Sequence, residues 1–289
     1  MTPSRPIDHC VLPTADLRTA RKRLTALGFT VAPNGLHPFG TENCCVYFAD
    51  GTFIEPLAVT DPVKAGIASM RGNVFTARDA AFRYRLGEEG FSALVFGSED
   101  AAADYREFAR AGISAGRILN FSRPFVDAAG RSDTASFKLA FAADLRAPDA
   151  FFVTCERVNA PAVDRSALQK HKNGVRRIEA IVLEAPEPAD FAAFLQHVVC
   201  ARPEQAPDGL RFAAANGEVL VRRSAKPRGR PTPGLRLEEI VFGVESLDKV
   251  VSVFDTSAIR HHVADAGRLT VPRAAGQGAT FVFQALSRR

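Results

Sequence analysis

The order strand, helix, then three strands recurs four times along these 289 residues, and that recurrence limits the fold more than any other feature. The first unit opens on Ile7-Asp8-His9-Cys10-Val11-Leu12, an apolar strand that Pro13 ends. Asp16 is a good N-cap for the helix that follows. Leu17, Ala20, Leu24 and Leu27 fall on one helical face, Arg18, Arg21, Lys22 and Arg23 on the other, and Gly28 suits the position after the last turn. Phe29-Thr30-Val31 is expected to begin the next strand. Residues 44–48 read as another, Asp50-Gly51 as a tight turn, and Thr52-Phe53-Ile54-Glu55 as the returning strand. The same order returns over 91–155, over 177–221 about an Asn216-Gly217 turn, and over 237–284. Residues 60–90 interrupt it and read as a connecting segment with partial helix over 75–84.

One such unit leaves an apolar sheet face uncovered. Two side by side make a curved, mixed sheet with helices outside and a concave side within. The expectation is therefore an α+β chain of four βαβββ units in two domains, 1–158 and 172–289, joined by a polar linker, 159–171. A content of 46% hydrophobic and 24% charged residues supplies a sizeable core and argues against disorder. The net charge of +5 suits an anionic small molecule. No nucleic-acid-reading motif occurs, Trp is absent and Tyr numbers three, so base stacking has little to work with. No apolar run reaches membrane-spanning length and no signal-peptide segment opens the chain. Five cysteines (Cys10, Cys44, Cys45, Cys155, Cys200) without CxxC spacing read as reduced and mostly buried, which points to the cytoplasm. The basic stretch Lys226-Pro227-Arg228-Gly229-Arg230-Pro231 reads as a solvated connector.

Chemistry concentrates around Gly35-Leu36-His37-Pro38-Phe39-Gly40-Thr41-Glu42-Asn43. His9 lies before this stretch and Glu55 after it, and imidazole plus carboxylate is a donor pair for a divalent metal. The bland alternative is a well-specified turn and hairpin, with His9 a satisfied core residue. No Walker loop, no dinucleotide-binding glycine motif and no nucleophile elbow is present.

The βαβββ repeat with His9 on its first strand and Glu55 on its last resembles the vicinal oxygen chelate superfamily. Residues Ile7-Asp8-His9, Leu27-Gly28-Phe29, His37 to Asn43 and Phe53-Ile54-Glu55 are similar to its glyoxalase-like domain group. Residues 151–156 and His171-Lys172-Asn173-Gly174 resemble the junction of two-domain members. The resemblance implies two glyoxalase/bleomycin-resistance-like domains with cupped sheets. It also implies a divalent metal (Zn, Ni, Mn or Fe) that chelates adjacent oxygens of a small substrate, in lyase, isomerase or dioxygenase chemistry.

In such members each paired unit gives one ligand from its first strand and one from its last. That carries the metal roles to His9 and Glu55, with Glu55 also a base if released from the metal. The second unit departs, with Ala93 in the first-strand place and Glu156 the candidate near the end of its last strand. His37 could supply a further ligand. His37, Asn43, Tyr47 and Arg123 are the substrate-binding candidates. Arg123 and Lys138 are either anion holders or surface charge, and His171 reads as structural. The second domain looks degenerate: Ala180, Glu239, Val221 and Gln284 stand at its ligand places, so it reads as a scaffold or a homodimer contact. A metal-free small-molecule binder using the same cup is the rival reading, and a remnant without ligand the third. By strand parity Ile7, His9 and Val11 should share the concave face, with Glu55 approaching His9 and His37 near the rim.

Overall fold

The computed structural model describes residues 3–126, 132–161, 164–224, 234–264 and 267–286. The first unit runs β1 (Ile7–Pro13), α1 (Leu17–Ala26), β2 (Gly35–Leu36), β3 (Thr41–Asn43), β4 (Val46–Tyr47) and β5 (Phe53–Val59). Two helices follow, α2 (Pro62–Met70) and α3 (Val74–Leu86). The second unit runs β6 (Ala93–Ser98), α4 (Ala101–Arg110), β7 (Leu119–Val126), β8 (Ser132–Ala142) and β9 (Phe151–Asn159). The third comprises β10 (Val175–Ala185), α5 (Ala192–Val199), β11 (Glu204–Ala206), β12 (Gly209–Ala214) and β13 (Gly217–Arg223). The fourth comprises β14 (Arg236–Val244), α6 (Leu247–Thr256), β15 (His262–Ala264), β16 (Arg268–Val271) and β17 (Thr280–Ala285).

Side-chain caps start all of these helices except α5. Asp16, Asp61, Asn73, Asp100 and Ser246 each accept a hydrogen bond from a backbone N–H three residues on, satisfying one of the donors a first turn leaves free. Two expectations change. Phe29-Thr30-Val31 is not a strand. These residues leave α1 through Gly28 at φ 86°, and the next strand begins only at Gly35. The connecting segment is two well-capped helices rather than one partial helix. The basic stretch Lys226 to Pro231 lies outside the described residues.

Among the described residues the strands form two mixed, cupped sheets, one of nine strands and one of eight. In the first, β1 runs parallel to β5 and antiparallel to β6, and β6 runs parallel to β9. The second repeats this with β10, β13, β14 and β17. Each sheet is thus two βαβββ units joined through their first strands.

The outer faces of both sheets meet in one continuous core. Phe29, after α1, packs 5.5 Å from Phe242 and 6.2 Å from Phe281 of the second sheet, while Phe152 of β9 meets Phe194 of α5 at 5.3 Å. The concave face of the first sheet has its own apolar floor, including Val11, Leu57, Ala93, Val95 and Val153. The α2–α3 pair folds over part of this floor. Phe75, Asp79 and Phe82 of α3 line a small cavity against Val11, Ala93 and Phe151. Under α3 the cup is therefore roofed. Its other half, lined by residues of both units, stays open.

Candidate functional site

The open half begins with an irregularity in β1. Ile7 pairs with Phe96 but His9 pairs with Val95, so an extra residue is accommodated on β1. A bulge of this kind re-aims side chains. Ile7 turns into the shared core with Cys10 and Leu12, whereas Asp8 and His9 both line the cup. The parity expectation fails for Ile7 and holds for His9 and Val11. The bulge leaves Ile7 backbone groups without a ladder partner. Asn216, at the turn between β12 and β13 of the other sheet, takes both. Its Oδ1 accepts from Ile7 N at 2.7 Å and its Nδ2 donates to Ile7 O at 2.8 Å.

On this frame the His9 Nδ1 lies 2.6 Å from Asp8 Oδ1, and its Nε2 lies 3.3 Å from Glu55 Oε2. The ring stacks on Phe53, with centroids 4.2 Å apart. Asp8 is held in turn by Arg157, at 2.6 Å and 2.9 Å. Glu55 Oε1 accepts from Asn43 Nδ2 at 2.6 Å and lies 3.7 Å from His37 Nε2. His37 is anchored by Thr41 Oγ1 at 2.9 Å and stacks on Phe39. Its side chain is buried in the cup wall rather than set at the rim.

Burial alone would discharge these groups, and their partners decide otherwise. Burial raises the Glu55 carboxyl, but the His9 hydrogen bond and charge, then His37 and Asn43, bring it down to about 2. Burial lowers His9, but Asp8 and Glu55 outweigh it and hold the imidazolium above its ordinary range. Asp8 is likewise held below its ordinary range by His9 and Arg157, against burial. His37 lacks such support, and burial takes it down to about 4, so it stays neutral. The floor thus sets His9 between two carboxylates, each ring nitrogen facing a carboxylate oxygen, an arrangement that favours the imidazolium. Tyr47, raised by its neighbour Cys45 and by burial, keeps its hydroxyl proton.

The walls are aromatic: Phe39, Phe53, Phe75, Phe121 and Phe137 surround a cleft that opens to solvent. Arg123, Arg157 and Arg165 also line it.

The glyoxalase-like domain family matches residues 7–199. The chain belongs to that family. Solved structures extend the likeness over both halves of this glyoxalase-like protein. A hypothetical protein from Staphylococcus aureus superposes with TM-score 0.64 at 12% identity, over 97% of this chain and 99% of that one. A triple mutant of 4-hydroxymandelate synthase from Streptomyces coelicolor gives 0.60 at 12%, over 100% and 95%. A Mn(II)-bound glyoxalase from Novosphingobium aromaticivorans gives 0.53 at 12%, over 98% and 82%. At these identities the likeness shows the fold alone. No curated protein matches the sequence. Among the described residues no helix is long and apolar enough to cross a membrane.

The metal that this fold implies can be tested on the donor set. Val11 faces Glu55 across β1 and β5, and Val95 faces Val153 across β6 and β9. The second unit therefore sets Ala93 and Val153 where the first sets His9 and Glu55. Neither has a donor atom. Glu156, the expected extra ligand, points away: its Oε2 accepts from Ala101 N at the start of α4 and its Oε1 pairs with Lys138 at 3.3 Å. Strand alternation is the reason, since Val153, Cys155 and Arg157 take the concave side of β9 and Glu156 the other. Lys138 faces outward with it and is not an anion holder in the cup. Among the described residues no three His, Cys, Asp or Glu side chains converge as a metal site requires. His9 and Glu55 are one ligand short of a catalytic centre, and His37, held by Thr41 and stacked on Phe39, does not complete the set.

In the second sheet Glu239 pairs with Arg222 at 3.1 Å and Gln284 accepts from Arg268 at 2.8 Å and 3.0 Å, so neither is poised as a ligand. Sequence reasoning missed Asp8, Arg157 and Arg165. Asp8 precedes His9, so only the bulge brings both to one face. Arg157 and Arg165 carry no motif at all. Arg165, from the segment between the sheets, lies 4.7 Å over the Tyr47 ring, which makes that segment part of the cup wall. His171 is structural as expected. Its Nδ1 accepts from Thr30 N and its Nε2 donates to Tyr47 O, both at 3.0 Å.

Proposed function

We propose that the chain is a glyoxalase-like enzyme acting on a small, oxygen-bearing molecule held in the first cup, with His9 as the proton donor of the reaction. The observation that carries this is the buried relay Asp8–His9–Glu55. Asp8 fixes the ring through Nδ1, so Nε2 presents its proton toward the cleft and Glu55. A substrate oxygen that enters between His9 and Glu55 takes the place of the carboxylate as acceptor. Charge developing on that oxygen is stabilised by the imidazolium, whose ring and carboxylate partner are both largely buried. Glu55 at about 2 is too weak a base while it pairs with His9; once separated by substrate it regains basicity and can accept a proton. Asn43 and neutral His37 hold Glu55 in place, and the Tyr47 hydroxyl is a further donor to substrate.

One observation favours a second reading, that of a weakly held divalent ion. A carboxylate behind an imidazole, as Asp8 stands behind His9, usually orients and supports a metal-bound histidine. Two protein donors fall short of a catalytic set.

The test is proton exchange followed by ¹H NMR in D₂O over a panel of small hydroxy-carbonyl compounds, with metal content measured on the same protein. Exchange that falls at least a hundredfold in His9→Gln and Glu55→Gln, with unchanged circular dichroism, supports the proposal. Undiminished exchange in both variants, or none in the wild type, overturns it. A full equivalent of retained metal whose removal abolishes exchange would establish the second reading instead.

A further inference from the structure

The three arginines of the cup are not equivalent. Arg157 is taken up by Asp8 through two contacts. Neither Arg123 nor Arg165 has a carboxylate partner among the described residues. Both are half-buried, and each lies over an aromatic ring: Arg123 5.9 Å from the Phe137 centroid, Arg165 4.7 Å from that of Tyr47. They come from different parts of the chain, Arg123 from β7 and Arg165 from the segment between the sheets. They converge on one cleft, whose floor is the His9–Glu55 pair and whose walls are phenylalanines. Room is also made for one of them. Gly35 of β2 has no side chain, and a Cβ there would stand 2.3 Å from Arg123 Nη1.

A half-buried guanidinium without a counter-charge is costly unless a ligand supplies one, and a planar fork suits a carboxylate. Aromatic walls reward a flat apolar body.

We infer that the cup takes an aromatic carboxylate, its ring among Phe39, Phe121 and Phe137 and its carboxylate between Arg123 and Arg165. This rests on the proposed function for the location of the cup, and it adds the substrate class and two residues that set specificity. The assignment also gives the positively charged rim a task separate from the floor. The rim binds and orients an anion, while His9 handles the proton.

Isothermal titration with two pairs of probes tests it: benzoate against benzamide, and phenylacetate against phenylacetamide. Each acid should bind at least tenfold tighter than its amide, with the gap narrowing at high salt. Arg123→Ala and Arg165→Ala should each weaken the acids about tenfold and leave the amides unchanged. Arg165→Lys should restore part of the loss. Equal binding of acid and amide, no binding of either, or acid binding that ignores both arginines overturns the inference. Acids that bind through the arginines while His9→Gln leaves turnover intact would sink the proposed chemistry and leave the substrate class standing. Turnover lost in His9→Gln with charge-blind binding would do the reverse.

Discussion

His171 offers a quantitative check on the electrostatics. Its ring lies buried between Phe29 and Phe48, and both nitrogens are engaged. Thr30 donates its N–H to Nδ1, so that nitrogen must be bare, and Nε2–H donates to Tyr47 O. A proton added at Nδ1 would face the Thr30 N–H, donor against donor, in a buried place. Burial accordingly lowers this histidine from 6.5 to about 4. Because the folded-state value lies below the unfolded one, the unfolded chain binds the extra proton first. The stability that His171 contributes is fully present above pH 6.5 and is lost as pH falls toward 4. At about 1.4 kcal/mol per unit the whole effect is about 3 kcal/mol, most of which has gone by pH 4.5. His171→Gln keeps a donor and an acceptor but cannot titrate. Urea unfolding of both proteins at pH 7.0, 5.5 and 4.5 should show the wild type ahead at neutral pH and its lead shrinking by roughly that amount in acid. A lead that stays constant with pH, or an NMR titration of His171 near 6.5, would refute the reasoning.

Other outcomes follow from the same contacts. Asn216→Asp keeps a good turn residue but loses the donor to Ile7 O; it should cost about 1–2 kcal/mol in thermal unfolding and shift the His9 ring resonances in NMR, whereas unmoved His9 signals would show that the bulge holds itself. Phe29→Ala should cost about 3–5 kcal/mol, because its ring is enclosed by residues of both sheets, and unfolding should remain one transition by fluorescence and circular dichroism. Two separate transitions would mean that the sheets unfold independently and that the shared core couples them little.

The repeat was legible because strands, caps and turns are written locally. Asp16 and Gly28 bound α1, and Asn216-Gly217 makes the hairpin turn, each as its chemistry demands. His9 and Glu55 stood out as polar residues in apolar strands, and they meet in the cup. What failed depended on register. One added residue in β1 turns Ile7 away from His9, and one step along β9 separates Cys155, inside the cup, from Glu156, outside it. No side-chain pattern announces such a step. Arg165 escaped for a different reason. A polar connecting segment reads as solvated, and only the folded chain shows that it lies across Tyr47.

The Asn216 contact bears on any attempt to move this chemistry to another protein. Transplanting β1, β3 and β5 would carry Asp8, His9, Asn43 and Glu55 but not the groups that satisfy the Ile7 backbone. On a one-sheet scaffold the kink in β1 would have a bare N–H and C=O, and the ladder with β6 would gain by sliding back one residue. That slip would return either Asp8 or His9 to the far face and dismantle the relay. The second sheet is thus a jig for the cup of the first. A minimal graft must include a substitute for a single amide that sits 209 residues from Ile7 in sequence.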